Sequence, residues 1–266
     1  MIVHRRRNPR FPQGLHPRIF GVSTLVVHNL LVHRALRPPA DAALNLISAV
    51  GLTAYALRVG STSAELGLDR TDLRRGLETG SIAAGCCTVG VGIAAAFPPT
   101  RAFFMDSRLK DMSRKEIAYH ASLRIPVAIA LAEEIMFRSA LHALFAREHT
   151  LRSTLGWTSL LFGLGHILPT LDMFEGNPAS DLIQDPLRAR LLAVIGTTAM
   201  TAAAGLFFSY LRLRSKSVAA PVLAHAAINV TALVIGKVLI DRQILLARPN
   251  KYLRGATKIE GSSPPN

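Results

Sequence analysis

Three charged residues interrupt a mostly apolar stretch of the chain and could carry acid–base chemistry. Glu133, Glu134 and Arg138 lie within residues 125–146. In a helix with about 3.6 residues per turn, residues four apart share a face, so Glu134 and Arg138 are expected to pair. Glu133 is rotated by about 100° from Glu134 and lacks this partner. An unpaired carboxylate in an apolar pocket is suited to act as a general base. The alternative interpretation is a buried ion pair that only fixes helix packing.

Two histidines also lie inside apolar runs. His166 follows Phe162 by four residues, and Asn229 follows His225 by four. A single buried histidine is more often a packing residue than a catalytic one. Two such histidines, an asparagine on the face of one of them and an acidic pair on another helix favour one shared polar site in a helical bundle. The remaining histidines lack this context and are interpreted as interfacial or incidental, although His142 follows Arg138 by four residues and so shares the face of Glu134.

Six apolar runs predict the elements that position these residues. A helix needs about 20 residues to cross the hydrocarbon core, and lipid admits only helices or closed barrels. The sequence shows no strand-type alternation, so the predicted fold is an all-α, multi-pass transmembrane bundle around a polar catalytic cavity. Six or seven helices are predicted, with an eighth left open. The runs cover residues 41–59, 81–97, 118–146, 155–168, 191–211 and 218–240.

The composition also indicates an integral membrane protein. The chain of 266 residues carries a formal net charge of +14, and 50% of its residues are hydrophobic. Disordered chains are less hydrophobic, and basic nucleic-acid-binding proteins are usually polar. A hydrophobic chain whose surplus Lys and Arg lie in loops is typical of membrane proteins. We therefore expect contacts with anionic lipid headgroups and no nucleic-acid partner.

The distribution of Lys and Arg favours six spans in the cell membrane, with the N-terminus in the cytoplasm. Residues 1–40 are then a basic arm plus an interfacial or weakly spanning helix. Residues 41–240 form the transmembrane domain, with its motif core at 118–240, and residues 241–266 form a basic, disordered tail. Residues 61–79 predict a short amphipathic surface helix. Its apolar face would contain Leu66, Leu68, Leu73 and Leu77.

Three short motifs together resemble those of one protein family. EEIMFR (133–138), FGLGH (162–166) and HAAIN (225–229) follow, in order, the patterns EExxxR, FxxxH and HxxxN. The sequence resembles the CPBP intramembrane proteases (CAAX protease and bacteriocin-processing), also called the Abi or type II CAAX prenyl endopeptidase family. The resemblance covers the chain from residue 118 to the tail. Ser139 stands where the family often has glycine, and residues 1–40 have no counterpart.

The resemblance implies an intramembrane endopeptidase that cleaves a protein or peptide substrate near the membrane surface. Glu133 would be the general base, and His166 would orient the same water. His225 and Asn229 would stabilise the oxyanion, which requires hydrogen-bond donors.

The resemblance also implies supporting residues and leaves the cofactor open. Glu134 and Arg138 would hold Glu133 in place. Zinc remains open as a cofactor, because Glu and His are acceptable zinc ligands. We favour a metal-free mechanism, since the sequence lacks an HExxH-like spacing.

Two other functions stay open beside proteolysis. One is a non-proteolytic membrane binding or immunity protein of the same fold. The other is an ion-coupled transporter, because intramembrane charges also mark ion pathways. The sequence shows no inverted repeat of the kind that many transporters contain.

The spacing of the two histidine motifs predicts that His166 and His225 lie at different depths in the membrane. His166 lies about 14 residues after Arg152 and His225 about 8 after Ser217, so helices that start at one surface would place them roughly 9 Å apart in depth. Helix tilt, or a last helix that begins outside the bilayer, would close this gap.

Overall fold

The computed structural model describes residues 16–174 and 184–247, and every regular element within these ranges is a helix. The predicted all-α fold is confirmed. The helices of the first half of the chain are α1 (Pro17–Leu30, followed by π-helical turns at Leu31–Ala35), α2 (Ala40–Arg58), α3 (Ser63–Leu66), α4 (Leu73–Ala96) and α5 (Pro98–Arg101).

The second half begins with an unusual helix. Five helical segments follow one another over residues 114–146 with continuous helical backbone, and we call them the composite helix. After it come α6 (Leu151–Gly165), α7 (Ile167–Phe174), α8 (Pro186–Ser215) and α9 (Ala219–Ala247).

The composite helix is the centre of the bundle and changes its pitch at the acidic pair. Its segments His120–Leu131 and Ile135–Leu141 are π-helical, and the short α-helical segment Ala132–Glu134 lies between them. π-helical segments are rare and are frequently found at functional sites. Every side chain from 136 to 145 is buried. The helix contacts α1, α2, α3, α6, α8 and α9.

Within residues 16–174 and 184–247, four helices are long and apolar enough to cross a membrane. They cover Ala40–Arg58, Arg70–Ala96, Pro186–Ser215 and Ala219–Ile244. At most 33% of the best window of any of these helices is buried inside the protein, so most of their apolar side chains face outward. Such an apolar exterior is expected in lipid and not in water. These four match predicted runs, whereas the crossing of the membrane by residues 118–146 and 155–168 stays a prediction.

The predicted surface helix at residues 61–79 is wrong. The segment instead contains α3, a left-handed turn at Gly67 (φ +69°) and a 3₁₀ turn, after which α4 begins. The Gly67 carbonyl accepts a hydrogen bond of 2.9 Å from the Val218 amide, which ties this turn to the start of α9. Leu66 is fully buried, and the other three leucines of the predicted apolar face are exposed: Leu68, Leu73 and Leu77.

Two further boundaries differ from the sequence prediction. The run 155–168 does not end at Pro169: α6 ends at Gly165, and Pro169 lies in the first turn of α7. Proline is tolerated there because the first turn of a helix needs no intrahelical donors. Helix α9 continues to Ala247, inside the predicted disordered tail. Residues 1–15 of the basic arm and residues 248–266 lie outside the described ranges.

Glycines allow the helices around the site to approach closely. A Cβ on Gly80 of α4 would lie 2.8 Å from Cα of Ala220 on α9, and a Cβ on Gly163 of α6 would lie 2.5 Å from the carbonyl oxygen of Thr198 on α8. Small residues are enriched at such contacts between membrane helices. Gly163 lies three residues before His166, and Ala220 lies five residues before His225. The two contacts therefore determine the distance of the helices that carry these histidines from α8 and α4.

The Gly163 contact yields a prediction with a matched control. We expect Gly163→Ala to lower the free energy of unfolding by about 1–3 kcal/mol, since backbone must move to admit the methyl group. Gly156→Ala on the same helix places its Cβ in open space and should not destabilise the protein. Thermal unfolding in detergent compares the two variants. Equal melting temperatures would contradict the close packing of α6 on α8.

Candidate active site

Glu134 is the centre of a buried hydrogen-bond network. Its Oε1 accepts a hydrogen bond of 3.1 Å from Arg138 Nη1 and lies 2.8 Å from His225 Nδ1. The exposed fractions of the three residues are 0%, 2% and 4% for Glu134, Arg138 and His225. The pairing of Glu134 with Arg138 agrees with the prediction from sequence. The contact with His225 joins the composite helix to α9, and sequence spacing could not have predicted it.

Aromatic rings enclose the Arg138 guanidinium. Its Cζ lies 4.0 Å from the centroid of Phe162 and 5.2 Å from that of Phe208. The ring of Phe208 also stacks on His225, with centroids 5.0 Å apart. Aromatic faces attract a cation most strongly where water is excluded, so these rings stabilise the buried charge. Phe208 lies in an apolar run without a motif, and sequence analysis missed it.

Glu133 has the environment predicted for an unpaired carboxylate. Its side chain is 23% exposed, and its Oε2 lies 4.0 Å from His225 Nε2. This Oε2 is buried and has no hydrogen-bond partner among the described residues, and the same holds for Oε2 of Glu134. A buried carboxylate oxygen without a donor is costly unless water or a substrate group satisfies it. Glu133 is the more exposed of the two carboxylates, which makes it the better candidate to meet a reacting water.

The hydrogen bonds of His225 restrict where its proton lies. Glu134 Oε1 accepts from the Arg138 guanidinium, and the same oxygen lies 2.8 Å from His225 Nδ1. In the tautomer with its proton on Nδ1, His225 donates to this oxygen as well. Nε2 then donates a hydrogen bond only if it also carries a proton.

His166 lies at the break between α6 and α7. Its Nδ1 lies 2.8 Å from the carbonyl oxygen of Phe162, which can only accept. Nδ1 is therefore protonated, and in the neutral ring Nε2 presents a lone pair. Phe162 contacts both site histidines, with ring centroids 4.7 Å from His166 and 6.0 Å from His225. The two histidines thus lie against the same aromatic ring.

The starting points of α6 and α9 differ in burial. Leu151, the first residue of α6, is 52% exposed. The residues before α9 are instead buried, with Ser217 at 2% and Val218 at 6% exposure. Helix α9 therefore starts in the protein interior, whereas α6 starts at the protein surface.

Asn229 is the predicted site residue with the weakest structural connection. It lies one turn after His225 on α9 and is partly buried. In the ranges that the structure describes, its side chain forms no hydrogen bond. Its predicted role as an oxyanion donor stays a prediction.

Three histidines that sequence analysis interpreted as interfacial or incidental lie near the site. Glu133 interacts electrostatically with His28 and His33, which lie on α1 and its π-helical continuation. His142 is only 6% exposed and interacts electrostatically with Arg138. No spacing signal relates α1 to the motif helices, so only the packing reveals His28 and His33 as neighbours. His142 lies four residues after Arg138, and this spacing had already placed it on the face of Glu134.

The donor atoms do not fit a zinc site. Catalytic zinc usually has three protein ligands and a water. Among the described residues, no group of three His, Cys, Asp or Glu side chains is placed to hold a metal ion. The Nδ1 atoms of His166 and His225 are bonded to protein oxygens, which leaves the Nε2 atoms as possible ligands, but the Arg138 guanidinium would repel a dication near Glu134.

The fold and the site define a class: an all-helical membrane protein with a buried carboxylate, histidine and arginine cluster between its central helix and α9. Residues 117–231 match the family model described as type II CAAX prenyl endopeptidase Rce1-like. The match includes all six predicted site residues, is consistent with the CPBP family and confirms the resemblance inferred from the motifs. It points to a membrane-embedded endopeptidase. Searches of curated proteins and of solved structures found no match.

Proposed function

We propose that this protein is a metal-free intramembrane endopeptidase in which Glu133 activates the hydrolytic water. The observation that carries the proposal is the Glu133 carboxylate, which is 23% exposed and whose Oε2 has no hydrogen-bond partner among the described residues. It lies beside the network that holds His225 in place. The family match supports endopeptidase activity, and the arrangement of the residues supports the glutamate type.

The proposed reaction needs one proton acceptor and one source of positive charge. Glu133 takes a proton from water while His166 Nε2 accepts the other hydrogen bond, and the water oxygen adds to the scissile carbonyl. The imidazolium of His225 and the amide of Asn229 donate hydrogen bonds to the oxyanion. When the C–N bond breaks, Glu133 returns its proton to the leaving amine, and the carboxylate is restored.

We expect proteolysis to be independent of metal ions. Purified protein in detergent should retain its activity after treatment with a zinc chelator, and elemental analysis should find far less than one zinc per chain. The donor geometry is the reason, because among the described residues no three ligands converge. Loss of activity with the chelator, restored by added zinc, would contradict the glutamate mechanism.

The substrate class follows from the family description and the membrane setting. We propose a membrane-anchored protein or peptide as substrate, lipid as the surrounding partner and no nucleic acid. We place the protein in the cell membrane with the N-terminus in the cytoplasm, as the basic loops favour.

Two comparisons test this activity. The first compares the membrane proteomes of cells that express the wild type or Glu133→Ala, and the second uses a farnesylated CAAX reporter peptide beside its unprenylated form. Cleavage by the wild type alone supports the proposal. Equal cleavage by both proteins would refute the assignment of Glu133, and no cleavage of any membrane protein would favour the non-proteolytic alternatives.

A further inference from the structure

The helix break that carries His166 leaves one carbonyl without its usual donor. In a continuous helix, the carbonyl of Gly165 would accept from the amide of residue 169. Residue 169 is proline, which has no N–H. Gly165 is partly buried, so its carbonyl is best satisfied by a donor from elsewhere in the protein.

A side chain of α1 supplies this donor. Asn29 Nδ2 donates a hydrogen bond of 2.8 Å to the Gly165 carbonyl. Asn29 is partly buried and lies 136 positions before its partner in sequence. The bond attaches α1 to the peptide unit that links Gly165 to His166.

A second contact attaches the continuation of α1 to the other side of the break. Arg34 Nη1 lies 2.9 Å from Oδ1 of Asp172, and His33 Nδ1 lies 3.9 Å from Oδ2 of the same residue. Asp172 belongs to α7, whereas Gly165 ends α6. Helix α1 and its continuation thus hold both helices that meet at His166.

We propose that Asn29 is a positioning residue for His166. The inference rests on the proposed function of His166 as the residue that orients the water. The bond from Asn29 fixes the peptide before His166, and the bond from His166 Nδ1 to the Phe162 carbonyl fixes the imidazole ring. Together the two bonds hold His166 Nε2 in one orientation. Asn29 lies outside the matched residues 117–231, so α1 completes a site that the matched segment alone does not position.

Kinetics of Asn29 variants test the effect on the reaction. Asn29→Leu removes the hydrogen-bond donor to the Gly165 carbonyl, and Asn29→Asp replaces the amide by a carboxylate, which can only accept hydrogen bonds when ionised. Both should lower kcat at least about tenfold with KM nearly unchanged, because a small displacement of a catalytic group slows the chemical step more than binding. Asn29→Gln keeps an amide donor and should recover part of the activity. The control is Thr24→Val on the same helix, which removes a hydrogen bond to the Phe20 carbonyl and should retain the wild-type kcat.

Hydrogen–deuterium exchange tests the positioning without any substrate. We expect faster amide exchange in the peptide covering residues 163–172 in Asn29→Leu, and no change there in Thr24→Val. Unchanged exchange with wild-type kcat in Asn29→Leu would overturn the positioning role and leave the proposed function intact. A similar loss of kcat in Thr24→Val would also overturn it, since the effect would belong to α1 in general. Faster exchange in Asn29→Leu with an inactive wild type would support the positioning and overturn the proposed function instead.

Discussion

Glu133→Gln is expected to lower kcat/KM by about 10²–10⁴-fold, the range that a general base contributes. Glutamine keeps the size of the side chain but cannot take a proton from water. The structure predicts little loss of stability, because Glu133 is 23% exposed and its Oε2 has no hydrogen-bond partner to lose in the part of the chain that the structure describes. Initial rates on a cleaved reporter, measured beside thermal unfolding, separate the two effects.

The control for this variant is Glu78→Gln. Glu78 belongs to an exposed pair with Arg74 near the start of α4 and is far in sequence from the motifs. Its replacement removes one carboxylate from the protein and should retain wild-type kcat/KM. If Glu133→Gln also retained wild-type activity, Glu133 would not be the base.

Arg138→Met should lower the free energy of unfolding by about 3–5 kcal/mol, the usual cost of removing one partner of a buried ion pair. The substitution leaves the Glu134 carboxylate fully buried beside Glu133, with His225 as its remaining donor. It also removes the cation enclosed by Phe162 and Phe208. Chemical unfolding in mixed micelles measures the loss.

Two further variants test whether the stability loss in Arg138→Met comes from the burial of the ion pair. Arg74→Met breaks a pair of the same residue types at the same spacing, but the side chains are 91% and 61% exposed, so little change is expected. The double variant Glu134→Gln with Arg138→Met removes the uncompensated charge and should regain part of the stability. Equal losses in Arg138→Met and Arg74→Met would show that burial of the pair contributes nothing.

The local part of the site was predictable because helical geometry is local. Backbone hydrogen bonds determine which residues share a face, so spacing alone predicted that Glu134 pairs with Arg138 and that Glu133 does not. The helical fold followed from apolar runs of membrane-spanning length without strand alternation. The same reasoning failed at residues 61–79, where the left-handed turn at Gly67 overrides the leucine periodicity.

The contacts between helices depended on the tertiary structure. The bond between Glu134 and His225 joins residues 91 positions apart, and that between Asn29 and Gly165 joins residues 136 positions apart. No local rule relates such residues.

The sequence by itself determined the type of fold, the three motif faces and the unpaired carboxylate, because backbone geometry and hydrophobicity act within one helix. Only the tertiary structure decided that His166 and His225 both lie against Phe162 and that α1 is attached to the break at His166. The physical reason is packing. Contacts such as Gly80 against Ala220, and the buried start of α9, determine where one helix stands against another.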